Sequence, residues 1–372
     1  MESGSEFKTV LNRAVVEEIA TALHTTLSTL NTDAFVSAVM TRLNDLELKD
    51  RAYWIAENIR HHLPEDVPTA LQHLIRSPDH KPDLTFKPGF GGFFYMPHTC
   101  FVERYGLDHY EESMDAMFHL TQRFTAEFAI RPFITRYPEA TMKQLMAWTT
   151  HDNEHVRRLV SEGTRPRLPW ASRLPQFQDD PTPVIALLER LKTDPELYVR
   201  RSVANNLNDI AKDNPERVIS TLTEWSQSPD MGTQWIIGHA LRSLVKQGHP
   251  DALSLLGYPP NPRITVSPIT LKTSSLSVGD TLEFSVDIAS TASTRQELMI
   301  DYTMYFMKAN GKQAPKVFKI KKAGLEPGHT LSVTHRKTLK QATTRKLYPG
   351  THRIELLING TAHHSASFEL SL

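Results

Sequence analysis

The stretch Val199-Arg200-Arg201-Ser202-Val203-Ala204-Asn205-Asn206-Leu207-Asn208-Asp209-Ile210 decides how the first two thirds of the chain are read. Val199, Val203, Leu207, Ile210 and Ala211 recur at steps close to one helical turn, so they wind a single apolar stripe along a helix. Asn214 and Pro215 then open a second helix, because asparagine caps well and proline is tolerated at the first helical position. Val218, Ile219, Leu222 and Trp225 form the buried face of that second helix, which completes a helical hairpin. The pattern recurs. Val156-Arg157-Arg158 lies 43 residues before Val199-Arg200-Arg201 and opens a similar segment, and a weaker copy begins at Trp235-Ile236-Ile237. A period near 40 residues with two helices per unit predicts a HEAT-like solenoid.

Residues 1–258 read as helix throughout, and Gly257-Tyr258-Pro259-Pro260-Asn261-Pro262 ends that character with three prolines in four positions. Strict alternation follows. Leu282, Phe284, Val286 and Ile288 point one way, with Glu283, Ser285 and Asp287 the other; Ile354, Leu356, Ile358 and Ala366, Phe368, Leu370, Leu372 repeat the period of two. About seven such runs in roughly 110 residues predict an immunoglobulin-like sandwich. The expected architecture is therefore multidomain. An all-α HEAT-like solenoid at 1–258 precedes an all-β immunoglobulin-like sandwich at 259–372.

Composition narrows the classes. At 372 residues with 40 % hydrophobic and 23 % charged side chains, the chain can bury real cores. No apolar run approaches the ~18–20 residues that span a bilayer. The opening Met1-Glu2-Ser3-Gly4-Ser5-Glu6 lacks the basic and apolar regions of a secretory signal. The lone Cys100 makes neither an internal disulfide nor a thiolate metal site, and the expected setting is the reducing cytoplasm. The formal net charge of zero conceals an asymmetry. Residues 261–372 hold 15 Lys+Arg against 8 Asp+Glu, a net of +7, which leaves the preceding part at −7. A basic module points to a polyanionic partner, or else to a solvated face that keeps the domain soluble.

Chemistry concentrates between residues 157 and 173. Five arginines (Arg157, Arg158, Arg165, Arg167, Arg173) surround a single acid, Glu162, inside an otherwise acidic module. Guanidinium groups present forked donors suited to phosphate oxygens, and Trp170 stands close by, next to Pro169. That is the composition of a nucleic-acid cleft. Bland alternatives stand beside it: Glu162 could close a helix end next to Gly163, Glu127 could pair with Arg123 or Arg131, Asp209 could sit on a helix surface, and Trp170 could be a packed cap.

The run Ser161-Glu162-Gly163-Thr164-Arg165-Pro166-Arg167-Leu168-Pro169-Trp170 resembles the hallmark of the AlkC branch of the DNA-alkylation-repair glycosylases. Three further regions resemble the same family. These are Gly106-Leu107-Asp108 leading to Thr121–Phe133, Val199–Ile210, and the appended sandwich, so the resemblance covers essentially the whole chain. It implies a monofunctional glycosylase that excises 3-methyladenine and 3-methylcytosine from duplex DNA, leaves an abasic site, uses no metal or cofactor and does not flip the base. Carried over residue by residue, it implies that Glu162 orients water and stabilises the cation, with Glu127 and Asp209 in support and Trp170 against the damaged nucleotide. Arg157, Arg158, Arg165, Arg167, Arg200 and Arg201 are expected at phosphates, as are Lys316, Lys319 and Lys321 of the sandwich. The expected partner is double-stranded DNA and the expected state a monomer. The competing reading is a non-catalytic scaffold that grips DNA or protein, but acids beside arginines would weaken a purely binding surface.

Two further motifs carry little weight. His151-Asp152-Asn153-Glu154-His155 fits the H-x-x-E-H pattern of zinc peptidases, but five residues match easily in a chain with 17 histidines. Gly89-Phe90-Gly91-Gly92-Phe93-Phe94-Tyr95 lacks the lysine ending and preceding strand of a phosphate loop, and reads as an aromatic loop docked on helices.

Overall fold

The computed structural model describes residues 9–77, 91–341 and 346–372. Among them, every regular element before residue 258 is helical and every one after it is a strand. No helix among the described residues is long and apolar enough to cross a membrane. Compactness divides the chain into two units. Residues 1–214 and 229–240 form one; residues 215–228 and 241–372 form the other. The last helix, Pro250–Leu255, and the first strand, beginning at Ile264, bracket the proline-rich switch.

In the first unit the repeat is physical. Helix Glu154–Gly163 packs on helix Leu197–Ile210, which packs on helix Met231–Ala240. Val156, Leu159 and Val160 of one helix and Val199, Val203 and Leu207 of the next are buried. Polar stitches fix their register: Ser161 Oγ donates to Ser202 Oγ at 2.7 Å, and Asn206 Nδ2 donates to Ser161 O at 2.7 Å. The first arginine of each Val-Arg-Arg triplet folds back on the loop before its own helix. Arg157 Nη1 reaches the carbonyls of His151 and Asp152, and Arg200 Nη1 reaches those of Asp194 and Pro195.

The second unit holds two sheets. In one, β4 (Thr281–Ser290) pairs with β1 (Ile264–Val266), β2 (Thr270–Leu271) and β7 (Thr330–Thr338). The other runs in the order β3-β9-β8-β5-β6, built from β3 (Ser275–Ser277), β9 (Thr361–Ser371), β8 (Gly350–Ile358), β5 (Gln296–Met307) and β6 (Gln313–Leu325). Leu282, Phe284, Val286 and Ile288 face Tyr302, Met304, Ile354, Leu356 and Phe368 across the inter-sheet core, as the alternation requires. Leu372 departs from it: the last strand ends at Ser371, so this residue has no sheet to face and is exposed.

Helices belong to this unit too. Pro215–Trp225 begins at Pro215 as expected and buries Val218, Ile219, Leu222 and Trp225. On the outer face of β5, Met299 packs with Leu253 and Tyr258. Gly248 and Gly360 meet backbone to backbone, so that a Cβ added at Gly360 would lie 2.7 Å from the Gly248 Cα. Asn359 ties the same region, accepting from Met299 N at 2.7 Å and donating to Pro259 O at 2.9 Å.

Candidate active site

Five of the expected site residues converge in one alternating row. Glu127 Oε2 accepts from Arg158 Nη1 at 2.6 Å, and Arg158 Nη2 lies 3.5 Å from Glu162 Oε1. The same Glu162 oxygen accepts from Arg165 Nη1 at 2.6 Å, and Arg165 Nε donates to Asp209 Oδ2 at 2.8 Å. Lys212 closes the row on Asp209 Oδ1 at 2.7 Å. Helical spacing brings Arg158 to Glu162 from one turn earlier, and the turn that follows the helix end at Gly163 brings Arg165. Stacking of the repeats brings Asp209 from the neighbouring helix.

Glu162, Arg158 and Arg165 are largely buried, and the row keeps these three charged. Burial alone would raise the Glu162 pKa, but Arg158, Arg165 and the Ser202 hydrogen bond outweigh it and hold the carboxyl below its ordinary value of 4.5. Burial works against the charge on Arg158 and Arg165 as well, and their carboxylate partners more than offset it, leaving both pKa values raised. At neutral pH Glu162 is therefore an anion, not a proton donor.

The carboxylates differ in what they leave open. Glu162 engages both oxygens, one with the arginines and the other with Ser202 Oγ at 2.6 Å. Asp209 engages both with Arg165 and Lys212. Glu127 Oε2 accepts from Thr125 Oγ1 and Arg158, while its Oε1 has no hydrogen-bond partner among the described residues. The ring of Tyr198 covers the Arg158 guanidinium, with 5.1 Å from Cζ to the centroid.

Trp170 stands on the loop that leaves Glu162. Its backbone is left-handed, with φ of 63°, and its side chain is 72 % exposed. The turn begins at Gly163, where an added Cβ would lie 2.5 Å from Ile130 Cγ2, so the helix end presses against its neighbour only without a side chain.

Residues 265–372 match the family described as "Uncharacterised protein YhaZ, C-terminal Ig-like domain", and residues 117–251 match "DNA alkylation repair enzyme". The "Uncharacterized protein YhaZ" of Bacillus subtilis (strain 168) is 38 % identical over 369 residues, covering 98 % of this chain and 99 % of that protein. A solved structure, Pseudomonas fluorescens alkylpurine DNA glycosylase AlkC bound to DNA containing an abasic site analog, matches with a TM-score of 0.88. Its identity is 36 %, over 98 % of this chain and 99 % of that one. The chain belongs to the AlkC-type DNA-alkylation-repair family.

In this AlkC-type chain most arginines expected at phosphates have protein partners. Arg157 makes a two-pronged, largely buried pair with Asp194, at 2.6 and 3.0 Å. Arg158 and Arg165 hold the carboxylate row. Arg167 pairs with Asp213, and Arg200 binds loop carbonyls. The forked donors that suggested phosphate suit carboxylates equally well. Arg201 and Arg173 are exposed and make no hydrogen bond or ion pair with the described residues.

The sandwich lysines do not share one surface. Cross-strand pairing sets Lys316 opposite Met304 and Lys321 opposite Ile300, both on the inner side, whereas Lys319 sits opposite Asp301 on the outer side. A register shift at Ile300/Asp301 leaves Ile320 as an extra residue on β6 and breaks the alternation. Lys316 from one sheet and Lys337 from the other both lie over the Phe318 ring, at 5.3 and 5.0 Å. They line a groove of about 590 Å³ with Arg336 and Lys340.

The H-x-x-E-H stretch and the glycine-rich aromatic stretch have structural surroundings. Helix Glu154–Gly163 starts after His151, so the two histidines do not share a helix face; Asn153 caps it, and His151 packs against Phe118. Gly89 and Phe90 lie outside the described residues. Gly91–Tyr95 forms a short 3₁₀ turn with Phe94 buried and Phe93 against Phe124.

Sequence reasoning missed Thr125, Ser202, Lys49 and Arg131. Thr125, Ser202 and Arg131 lie inside the motif stretches quoted above, and a hydroxyl near a carboxylate pair was the available signal for the first two. Lys49 carried no signal, because its partner lies 121 residues away.

Proposed function

We propose that this chain is a monofunctional DNA glycosylase of base excision repair. It hydrolyses the N-glycosidic bond of cationic N-alkylated bases, 3-methyladenine and 3-methylcytosine, in double-stranded DNA, leaves the base unflipped, and needs no cofactor. The observation that carries this reading is the row Glu127–Arg158–Glu162–Arg165–Asp209, three carboxylates alternating with two guanidiniums. Family membership supports it, as does a relative that is an alkylpurine DNA glycosylase bound to DNA with an abasic site analog.

A base methylated on a ring nitrogen carries positive charge, so its glycosidic bond is already weak and acid catalysis adds little. Fixed negative charge beside the developing oxocarbenium sugar lowers the barrier, as carboxylates do in glycoside hydrolysis. Water attacks C1′, the glycosidic electron pair leaves with the base and neutralises it, and the water proton passes to a carboxylate. Glu162 was the expected holder of that water, but both of its oxygens are engaged. Glu127, with Oε1 unpartnered, takes that role, and Glu162 and Asp209 supply fixed charge. An undamaged base is neutral and gains less from these groups, which gives selectivity. Trp170 offers an exposed aromatic face for the lesion.

The catalytic work belongs to the helical region and the DNA grip to the sandwich, acting as a monomer. Arg201 and Arg173 in the first unit, and Lys316 and Lys337 in the sandwich groove, are the cations best placed to take phosphates. The test is release of methylated base from alkylated duplex DNA. Wild-type protein releases 3-methyladenine, and Glu127→Gln slows release by roughly 10²–10³-fold, the usual cost of losing one such stabilising group. DNA binding without base release by wild type overturns the reading in favour of a scaffold.

A further inference from the structure

Trp170 pairs an unfavourable backbone with an unsupported side chain. A left-handed conformation at a non-glycine residue is unfavourable and persists only where its surroundings impose it. The indole does not impose it, being 72 % exposed. The restraint comes from the main chain.

Lys49, on helix Leu48–His62, donates to Trp170 O at 2.8 Å. Its ammonium lies 4.9 Å from the centroid of Phe128, the residue after Glu127, and 5.7 Å from that of Tyr53. Arg131, only 2 % exposed, clamps the loop at both ends. Its Nη1 donates to Gly163 O at 2.9 Å and Arg165 O at 2.8 Å, and its Nη2 donates to Ser172 O at 2.6 Å. Burial lowers its pKa to about 10, so the guanidinium keeps its charge, and each of the three bonds is charge-assisted. Two cations from distant parts of the sequence thus converge on four carbonyls of one ten-residue stretch, 163–172.

We infer that Lys49 and Arg131 are positioning residues that hold Trp170 in its left-handed, outward pose and so preset its indole for the damaged nucleotide. The inference rests on reading Trp170 as lesion-facing. It also gives the N-terminal helices a part in the site, because Lys49 lies outside residues 117–251, the part that matches the DNA-alkylation-repair description. The alternative for Lys49 is direct attraction of a DNA phosphate, and one experiment separates the two.

The full-length chain is compared with Lys49→Met, Lys49→Arg, Trp170→Ala and Lys49→Met/Trp170→Ala. Two quantities are read: kcat and KM for base release, and the DNA-free fluorescence anisotropy of Trp170, taken as the difference from a Trp170→Phe chain. Lys49→Met is expected to lower kcat about tenfold with KM changed less than twofold, the mark of lost preorganisation. It lowers the Trp170 anisotropy and has no further effect once Trp170 is alanine. Lys49→Arg keeps a donor and restores most of the activity. Unchanged anisotropy in Lys49→Met, or an equal loss of rate with and without Trp170, overturns the proposal and favours the phosphate contact. Full activity in Trp170→Ala overturns the underlying reading of Trp170 instead, and the anisotropy then decides the clamp by itself. Arg131→Met tests the other half, with the same anisotropy loss expected in any chain that still melts cooperatively.

Discussion

Two stretches 43 residues apart begin alike and end in different chemistry. Val156-Arg157-Arg158 and Val199-Arg200-Arg201 each start a helix, bury their valine and turn their first arginine back onto the preceding loop. They part at the second arginine. Arg158 is enclosed between Glu127, Glu162 and Tyr198, whereas Arg201 is exposed. At the same offset, Glu162 and Arg165 correspond to Asn205 and Asn208. One repeat has acquired a charged row and the other supplies its partners, Ser202 and Asp209. Repeat position thus predicts the scaffold, and the departures from it mark the charged row.

The contrast can be broken by mutation. Arg158→Met should cost about 3–5 kcal/mol of folding stability, because Glu127 and Glu162 lose a largely buried counter-ion. Arg201→Met should change stability by less than about 0.5 kcal/mol. Chemical denaturation of both variants measures the difference, and equal losses would erase the distinction between the repeats. Ser202→Ala, which removes one hydrogen bond to an ionised Glu162, should cost about 1.5–3 kcal/mol in the same measurement.

Acid should sharpen the contrast. The Glu162 pKa is lower in the folded chain than in the unfolded one, so its contribution is fully present above about 4.5 and lost as pH falls through the lowered folded value. Thermal melts across that window should show a steeper acid loss in wild type than in Glu162→Gln. The smallest effect concerns Arg201 itself. If it meets a phosphate, Arg201→Met reduces the slope of log binding constant against log salt by about 0.9, with stability untouched.

Much of the architecture was legible because it rests on local periodicity. The apolar stripe through Val199 and Leu207 and the alternation through Leu282 and Ile288 both describe the buried faces that form. The carboxylates of the charged row were legible as well, since Glu127, Glu162 and Asp209 all came from quoted motifs. Its wiring was not. Arg158 meets Glu127 across 31 positions and Arg165 meets Asp209 across 44, distances that only the stacking of helices closes. No glycine advertises the left-handed turn at Trp170. A single extra residue at Ile320 was enough to send Lys321 to the opposite side from Lys319.

The interleaving of the two compact units bears on how this chain can be dissected. The polypeptide passes between them three times, at 214/215, 228/229 and 240/241, so no single cut frees either one. A truncation after Tyr258 would strip Leu253 and Tyr258 of Met299, which packs with them, and would leave helices Pro215–Trp225 and Pro250–Leu255 severed from the sandwich. Any lost activity would then report collateral damage as readily as a missing DNA grip. Charge reversal at Lys316 and Lys337 asks the same question of the sandwich and keeps the fold whole.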